Sequence, residues 1–142
     1  MTIHKKGSAH WEGDIKGKGT VSTESGVLSQ QPYGFNTRFE GVKGTNPEEL
    51  IGAAHAACFS MALSLMLGNA GHKPESIDTT ADVSSDKKGE GFAIPQVAPT
   101  SNLALSGIDD PTFHEIINKA KAGCPVSQVL DAETMLAYTM NT

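Results

Sequence analysis

Apolar and polar residues alternate with a period of two along much of residues 8–40, which is the pattern of half-buried strands. A hairpin turn is predicted at Ser25-Gly26, between two further short stretches of strand-like sequence. The alternation resumes at Tyr33 and runs to Phe39. If that stretch is a strand, Arg38 points away from its aromatic face.

The pattern changes to that of a helix over residues 46–68. Asn46 is a suitable N-cap and Pro47 fits the first helical position. Glu48 lies in the first turn, where the helix dipole favours a carboxylate. A capped helix is therefore predicted to begin at this point.

No Asp, Glu, Lys or Arg occurs between residues 50 and 71, so this helix must be tested as a membrane span. The stretch is rich in Ala, Gly and Ser, includes His55 and Asn69, and has no interfacial Trp or Tyr. These features favour a helix that is buried within protein on nearly every side, and they argue against a membrane span. Since one small sheet cannot cover such a helix all round, we expect a second subunit to cover its other side.

The second half of the chain predicts two strands, a helix and a last strand. Pro95 and Pro99 lie within the second of those strands, and proline donates no ladder hydrogen bond, so we expect this strand to be interrupted or to lie at an edge. A helix is predicted over residues 110–122, with Asp110 as its cap and one apolar face made of Phe113, Ile116, Ile117 and Ala120. Pro125 can open a further short helix with Cys124 at its N-cap, and alternation over residues 134–140 predicts the last strand. The order βββ-α-ββ-α-β indicates an α+β fold, and the length of 142 residues indicates one domain, 1–142.

Composition excludes several classes of protein. The net charge of −5 and the absence of a basic cluster argue against nucleic-acid binding. Two Cys, with no CxxC motif, cannot form a disulfide scaffold or a four-thiolate zinc site. The N-terminus shows no apolar signal segment, so we expect a reducing, cytoplasmic setting, in which the two thiols are either core residues or redox-active.

The two cysteines differ in their expected reactivity. Cys124 at a helix N-terminus would have its thiolate stabilised, although it could also be a small core residue before a turn. Cys58, in mid-helix among alanines, has the pattern of a buried thiol with a raised pKa and would need a positive charge brought to it. Arg38 is one candidate for that charge, although a lone strand Arg is more often a solvated surface residue.

His55 and Glu48 are the other candidates on the long helix. His55 shares a helix face with Cys58 and could be a base, a metal ligand or a core histidine; a zinc site needs a fuller set of ligands, so no metal is expected. Glu48 could simply complement the helix dipole. Ten residues of helix span about 15 Å, so Glu48 and Cys58 of one helix cannot touch. If both serve one site, either one comes from another subunit or the helix breaks between them.

Two segments carry a resemblance to a known family. The sequence TNPEELIGAAHAACF at residues 45–59 resembles the signature helix of the OsmC/Ohr family of thiol peroxidases, and KAGCPVS at 121–127 resembles the family's second-cysteine segment. HWEG at 10–13 and GFNTRFE at 34–40 are similar to the OsmC branch of that family. The resemblance covers nearly the whole chain.

The resemblance implies a function and a set of roles. Family members reduce organic hydroperoxides, and hydrogen peroxide less well, without a cofactor. It implies that Cys58 attacks the peroxide, that Cys124 resolves the resulting sulfenic acid as a disulfide, and that Arg38 and Glu48 accompany the reactive cysteine. It also implies an intertwined homodimer, with the long helix between sheets and the sites at the subunit interface, and a dithiol reductant of the lipoyl type.

The resemblance assigns the attack to Cys58, whereas the expected stabilisation of a thiolate at a helix N-terminus favours Cys124. The two agree if Arg38 lies beside the Cys58 sulfur and Glu48 holds the guanidinium in a bidentate pair. Two other hypotheses remain at this stage. One is a non-catalytic, stress-induced ligand-binding dimer with a vestigial thiol, and the other is a Cys–His hydrolase using His55 and Cys58, for which no orienting group or oxyanion hole is identifiable.

Overall fold

The structure is a computed structural model that describes residues 1–141, and these form seven strands and four helices. In chain order they are β1 Gly7–Glu12, β2 Lys18–Thr23, β3 Gln31–Tyr33, α1 Phe35–Phe39, α2 Pro47–Asn69, β4 Ser76–Lys88, β5 Gly91–Ala104, α3 Asp110–Gly123, α4 Pro125–Val129, β6 Glu133–Thr134 and β7 Ala137–Asn141. They fall into two compact units, of which the first is Met1–Leu50 and the second begins at Ile51. The α+β class, the main order of elements and the short helix that Pro125 opens after Cys124 are confirmed, with α1 and a divided last strand as additions.

The first unit is built on an antiparallel sheet in the order β1-β2-β3. Its register runs from Gly7 opposite Thr23 to Glu12 opposite Lys18. The rings of Trp11 and Tyr33 lie 5.5 Å apart between centroids, and a Cβ at Gly19 would collide with both. Only glycine lets the two rings meet across this strand.

The prediction of a strand from Tyr33 to Phe39 is wrong, because residues 35–39 form helix α1. The Thr37 hydroxyl accepts a hydrogen bond from the Gly34 amide at 2.9 Å and donates to the Gly34 carbonyl at 3.1 Å. Such local side-chain bonds offer the backbone an alternative to a sheet ladder. Phe35 and Phe39, four residues apart, then meet at 5.0 Å between ring centroids. Arg38 therefore projects from a helical turn and not from a strand.

Helix α2 begins as predicted, with the Glu49 amide donating to Asn46 Oδ1 at 2.8 Å. By length and composition this helix could cross a membrane. One stripe of it, however, is buried in the core of the second unit: Gly52, His55, Phe59, Leu63 and Leu67. The opposite side of the same helix is exposed and apolar, with Met61 at 76% and Leu65 at 60% exposure. A single chain therefore buries one face of α2 and leaves the other uncovered.

The sheet of the second unit is centred on β5. Strand β4 pairs with β5 antiparallel, and β6 and β7 pair with it in parallel on its other side. Gly52 brings α2 close to this sheet, since a Cβ there would lie 3.1 Å from the Ala81 carbonyl oxygen. A chain of hydroxyls from Ser60 through Thr79 to Ser101, with O–O distances of 2.7 and 2.9 Å, ties the helix to β4 and β5.

Strand β5 is continuous and central, so the expectation that the two prolines place it at an edge is wrong, and the expected interruption is limited to an irregularity in its pairing with β4. Pro95 lies in the irregularity where the β4–β5 register shifts, opposite the step between Ser84 and Asp86. Pro99 lies between the segment paired with β6 and the segment paired with β7, where neither neighbour needs its amide. Both prolines therefore occupy positions from which no ladder donor is missing.

Helix α3 completes the core of the second unit. Its predicted face is confirmed, because Phe113, Ile116, Ile117 and Ala120 are all buried. The predicted cap at Asp110 is wrong by one residue: Asp109 Oδ1 accepts from the Thr112 amide at 2.8 Å. The single last strand predicted over 134–140 is divided into β6 and β7, which pair with different parts of β5.

Candidate active site

The fold brings together the two cysteines, which are far apart in the sequence. Cys58 lies in the middle of α2, whereas Cys124 links α3 to α4. The backbone of Cys124 is held on both sides, since its amide donates to Ala120 at 2.9 Å and its carbonyl accepts from Gln128 at 3.1 Å. Both thiols are free and lie within hydrogen-bonding reach of each other. The two thiols are therefore close enough to influence each other's ionisation.

The two sulfurs differ in their access to solvent. Cys124 is 0% exposed and belongs to the hydrophobic core cluster, together with residues such as Phe59 and Phe113. Cys58 is only partly buried and packs against that cluster from its edge. A molecule that arrives from solvent therefore meets Cys58 first.

The surroundings shift the pKa values of the two thiols in opposite directions. Burial raises the pKa of Cys58, the hydrogen bond with Cys124 raises it further, and the Val126 amide opposes both. Burial also opposes ionisation of Cys124, but the Ser127 hydroxyl, the Ser127 amide and smaller contributions from Cys58 and Val126 outweigh it and lower the pKa of that thiol. Within one chain, Cys124 is thus the more readily ionised sulfur, as the residues alone suggested.

His55 lies on the buried stripe of α2 and faces the turn after Cys124. Its Nε2 is 2.7 Å from Ser127 Oγ. Its Nδ1 is buried and has no hydrogen-bond partner among the described residues. Burial lowers the pKa of His55, which favours a neutral imidazole. The described residues contain no group of three or more His, Cys, Asp or Glu that could hold a metal ion.

Arg38 and Glu48 form a second pair of functional candidates, within the first unit. Arg38 Nε lies 2.7 Å and its terminal nitrogen 2.6 Å from the same oxygen, Glu48 Oε1. The expected contact between the two side chains is present, and two guanidinium nitrogens share one carboxylate oxygen in it. Glu48 Oε2 is buried without a partner among residues 1–141, and the Arg38 side chain is 36% exposed. The guanidinium is anchored on one side and retains donors for another group.

The structure thus presents two pairs of candidate side chains, the thiol pair and the Arg38–Glu48 pair. The residue that sequence reasoning missed is Ser127, which contacts both His55 and Cys124. The signal for it was present: with Cys124 as N-cap, Ser127 is the third helical residue, one of the positions that faces a capping side chain.

Comparison with known proteins gives a consistent result. The family model described as "OsmC-like protein" matches residues 40–138, which include both cysteines and Glu48. The chain is 76% identical over 143 residues to the protein named peroxiredoxin OsmC of Escherichia coli K12, with both chains covered completely. It is 30% identical over 111 residues to the organic hydroperoxide resistance protein OhrB of Bacillus subtilis, covering 78% of this chain and 79% of that one.

Solved structures agree with these matches. The crystal structure of OhrB of Bacillus subtilis superimposes with a TM-score of 0.70 at 25% identity, covering 96% of this chain and 98% of that chain. An organic hydroperoxide resistance protein from Elizabethkingia anophelis superimposes with a TM-score of 0.74 at 27% identity, covering 99% and 100%. An OsmC-like protein from Vibrio cholerae, at 14% identity and a TM-score of 0.76, shares the fold.

Proposed function

The chain belongs to the OsmC-like protein family, and from that premise we propose that Cys58 is its peroxide-attacking thiol and Cys124 its resolving thiol. The protein is a Cys-based peroxidase that reduces organic hydroperoxides to alcohols. We expect hydrogen peroxide to be a poorer substrate. We also propose a reducing, cytoplasmic setting, which fits two free thiols.

The observation that carries this assignment is the difference in access between two thiols in contact. A peroxide needs to reach the attacking sulfur, and Cys58 is partly exposed whereas Cys124 is fully buried. A resolving thiol needs to reach the sulfenic acid and not the solvent, which fits the position of Cys124. Access therefore favours Cys58 for attack, even though Cys124 ionises more easily.

Cys58 needs a positive charge, because burial raises the pKa of this thiol. Arg38 can supply that charge and can also donate to the peroxide oxygen that leaves, while Glu48 keeps the guanidinium in place. Helix α2 runs without a break from Pro47 to Asn69, so Glu48 and Cys58 of one helix are about 15 Å apart. We therefore assign Arg38 and Glu48 of one subunit to the thiol pair of the other.

The uncovered face of α2 supplies a reason for two subunits to associate. Its exposed residues are small or apolar: Ala53, Ala54, Ala57, Met61 and Leu65. Alanines allow close approach of a second copy, and the larger side chains add apolar area to bury. A homodimer across this face would complete the cover of the long helix and would bring the thiol pair of one subunit to the Arg38–Glu48 pair of the other.

The cycle then consists of three reactions of sulfur. The Cys58 thiolate attacks the outer peroxide oxygen, the O–O bond breaks, and the alkoxide leaves and takes a proton to become the alcohol. The Cys124 thiolate attacks the Cys58 sulfenic acid, which forms the disulfide and releases hydroxide. A dithiol, of the lipoyl type by family resemblance, reduces the disulfide by exchange. The sulfurs carry both electrons, so this cycle requires no metal and no organic cofactor.

The test is consumption of cumene hydroperoxide with dihydrolipoamide as reductant and with hydrogen peroxide in parallel. We expect Cys58→Ser to abolish turnover. In the absence of the dithiol, we expect Cys124→Ser to consume about one peroxide per subunit and then stop, because the sulfenic acid forms but has no thiol partner. Full turnover by Cys58→Ser would contradict the assignment. A wild type whose thiols remain titratable after peroxide would instead indicate a non-catalytic binding dimer.

A further inference from the structure

His55 is a fully buried titratable residue that the peroxidase cycle leaves without a role. Its Nε2 lies 2.7 Å from Ser127 Oγ, and Ser127 in turn contacts the sulfur of Cys124. These three side chains come from α2, α4 and the junction before α4. They form a continuous line from a buried imidazole to the proposed resolving thiol.

The Ser127 hydroxyl has one proton and two neighbours that can accept it. If it donates to His55 Nε2, it has no proton to offer the sulfur. If His55 carries its own proton on Nε2 and donates it to Ser127 Oγ, the hydroxyl proton is left for Cys124. The position of one proton on the imidazole therefore decides whether Ser127 supports the thiolate.

The surroundings of His55 favour a neutral ring. An imidazolium would place a second N–H on Nδ1, which is buried and has no partner within residues 1–141, and an unpaired buried donor is costly. The titratable groups that face Cys124 are the Cys58 thiol and, through Ser127, the His55 ring. The other residues of its cluster are apolar, for example Phe59 and Ala120. His55 is accordingly a donor at Nε2 and not a base that removes the proton of Cys124.

We propose that His55 positions the Ser127 hydroxyl toward Cys124, so that this hydroxyl donates to the Cys124 thiolate whenever that thiolate attacks or departs. Ser127 then touches a reacting atom, and His55 is a positioning residue that acts through Ser127. A hydrogen bond to a charged acceptor is stronger than one to a neutral acceptor, so the arrangement favours the ionised sulfur. The proposal rests on the roles given above to the two cysteines.

Both affected steps balance in atoms and electrons. In resolution, the Cys124 thiolate attacks the sulfur of the Cys58 sulfenic acid; the S–S bond forms, the S–O bond breaks, and hydroxide leaves and is protonated to water. In recycling, a thiolate of the dithiol attacks Cys58, and the electron pair of the broken S–S bond goes to Cys124. The second thiol of the dithiol then releases Cys58 and closes the oxidised dithiol. Ser127 stabilises Cys124 as nucleophile in the first step and as leaving group in the second.

The first measurement is the pKa of Cys124 in a Cys58→Ser background, where Cys124 is the sole cysteine. The ultraviolet absorbance of the thiolate reports its ionisation. We expect Ser127→Ala to raise this pKa by about one unit or more, and Ser127→Thr, which keeps the hydroxyl, to leave it nearly unchanged. An unchanged pKa in Ser127→Ala would overturn the proposal.

The direction in which His55→Leu shifts the pKa of Cys124 shows whether His55 positions the Ser127 hydroxyl or competes with Cys124 for its proton. If His55 directs the Ser127 proton to the sulfur, His55→Leu raises the pKa of Cys124, while His55→Gln, which can still donate from its amide, raises it less. If His55 instead takes that proton, His55→Leu frees the hydroxyl and lowers the pKa of Cys124, which would overturn the proposal. Nitrogen-15 NMR of the wild-type imidazole gives the tautomer without any substitution. We expect the proton on Nε2, and a proton on Nδ1 would refute the arrangement.

The second measurement is the rate at which dihydrolipoamide reduces the Cys58–Cys124 disulfide, formed in advance with diamide instead of a peroxide. We expect Ser127→Ala to slow this reduction on the order of three- to tenfold, and Ser127→Thr to restore the rate. Equal rates in all three proteins would overturn the role in recycling. Because no peroxide is used, failure here is distinct from failure of the peroxidase assignment, which would appear as turnover by Cys58→Ser.

Discussion

A site shared between two subunits predicts that two inactive variants can restore each other. Cys58→Ser removes the attacking thiol, and Arg38→Met removes the guanidinium while keeping a side chain of similar length. In a mixed dimer, the thiol pair of the Arg38→Met subunit meets an intact Arg38–Glu48 pair from the Cys58→Ser subunit. One complete site out of two therefore forms, and we expect about half of the wild-type activity per dimer.

The expected loss of Cys58 thiolate in the Arg38→Met parent can be calculated from the charge of Arg38 and its exposure to solvent. A unit charge about 4 Å from a thiolate contributes about 4 kcal/mol at an effective dielectric constant of about 20. Arg38 is 36% exposed, so solvent screening reduces this to roughly 1–2 kcal/mol. That energy corresponds to about a five- to thirtyfold loss of thiolate at neutral pH. The loss of a donor to the leaving oxygen adds to it, so recovery in the mixed dimer is measurable against both parents.

The assay is turnover of cumene hydroperoxide by mixed dimers, which are co-expressed with two affinity tags and purified through both. The matched control is a mixed dimer of Cys58→Ser with a Cys58→Ser, Arg38→Met double variant, in which no site is complete. Activity in the mixed dimer no higher than in the parents would refute the shared site. It would require Arg38 and Cys58 of one chain to act together, in spite of the helix that separates Glu48 from Cys58.

Glu48→Gln keeps the shape of the anchor but weakens its hold on Arg38; we expect slower peroxide turnover together with a rise in the pKa of Cys58 by thiolate absorbance, and slower turnover with an unchanged pKa would argue against positioning. Leu65→Glu places a charge on the uncovered face of α2 and should shift the protein from dimer to monomer in sedimentation, whereas Leu65→Met should not. Burial raises the pKa of Cys58 in a single subunit, so the rate of single-turnover oxidation of the Leu65→Glu monomer by peroxide should rise continuously from neutral to alkaline pH. A rate that is already constant at neutral pH would show that Arg38 is not needed. Phe59→Ala should lower the free energy of unfolding by about 3–5 kcal/mol in denaturant titration because the ring is fully buried; a loss below about 1 kcal/mol would contradict its place in the core.

The elements with strong local signals could be predicted from the sequence. Asn46 caps α2 as expected, and the apolar face of α3 is buried as expected. Residues 35–39 could not be assigned from periodicity, because the two hydrogen bonds of Thr37 favour a helical turn over the strand that the alternation predicts. Pro99 misled in a similar way, since its place between two neighbouring strands depends on pairing that only the tertiary fold determines.

The candidate site shows the same limit. The spacing along α2 predicted correctly that Glu48 and Cys58 could not share a site within one unbroken helix, because the rise per residue is fixed. The proximity of Cys58 to Cys124 could be inferred only from the family resemblance, since α2 and the junction between α3 and α4 meet through tertiary packing. The place of Ser127 in the first turn after the cap Cys124 indicates its contact with that thiol, but its contact with His55 depends on tertiary packing that the sequence does not show.

The opposite pKa shifts of the two thiols resolve the apparent conflict over which one attacks. Ionisation and access are separate requirements, and one chain gives the first to Cys124 and the second to Cys58. A buried thiolate cannot be reached by a peroxide, so its low pKa serves steps inside the protein: attack on the sulfenic acid and departure from the disulfide. The partly exposed thiol of Cys58 needs a positive charge, which another subunit can supply, whereas another subunit cannot make a buried sulfur accessible. We therefore expect Cys58 to gain reactivity on assembly of the proposed dimer, whereas the Ser127 donor proposed for Cys124 is complete within the single chain.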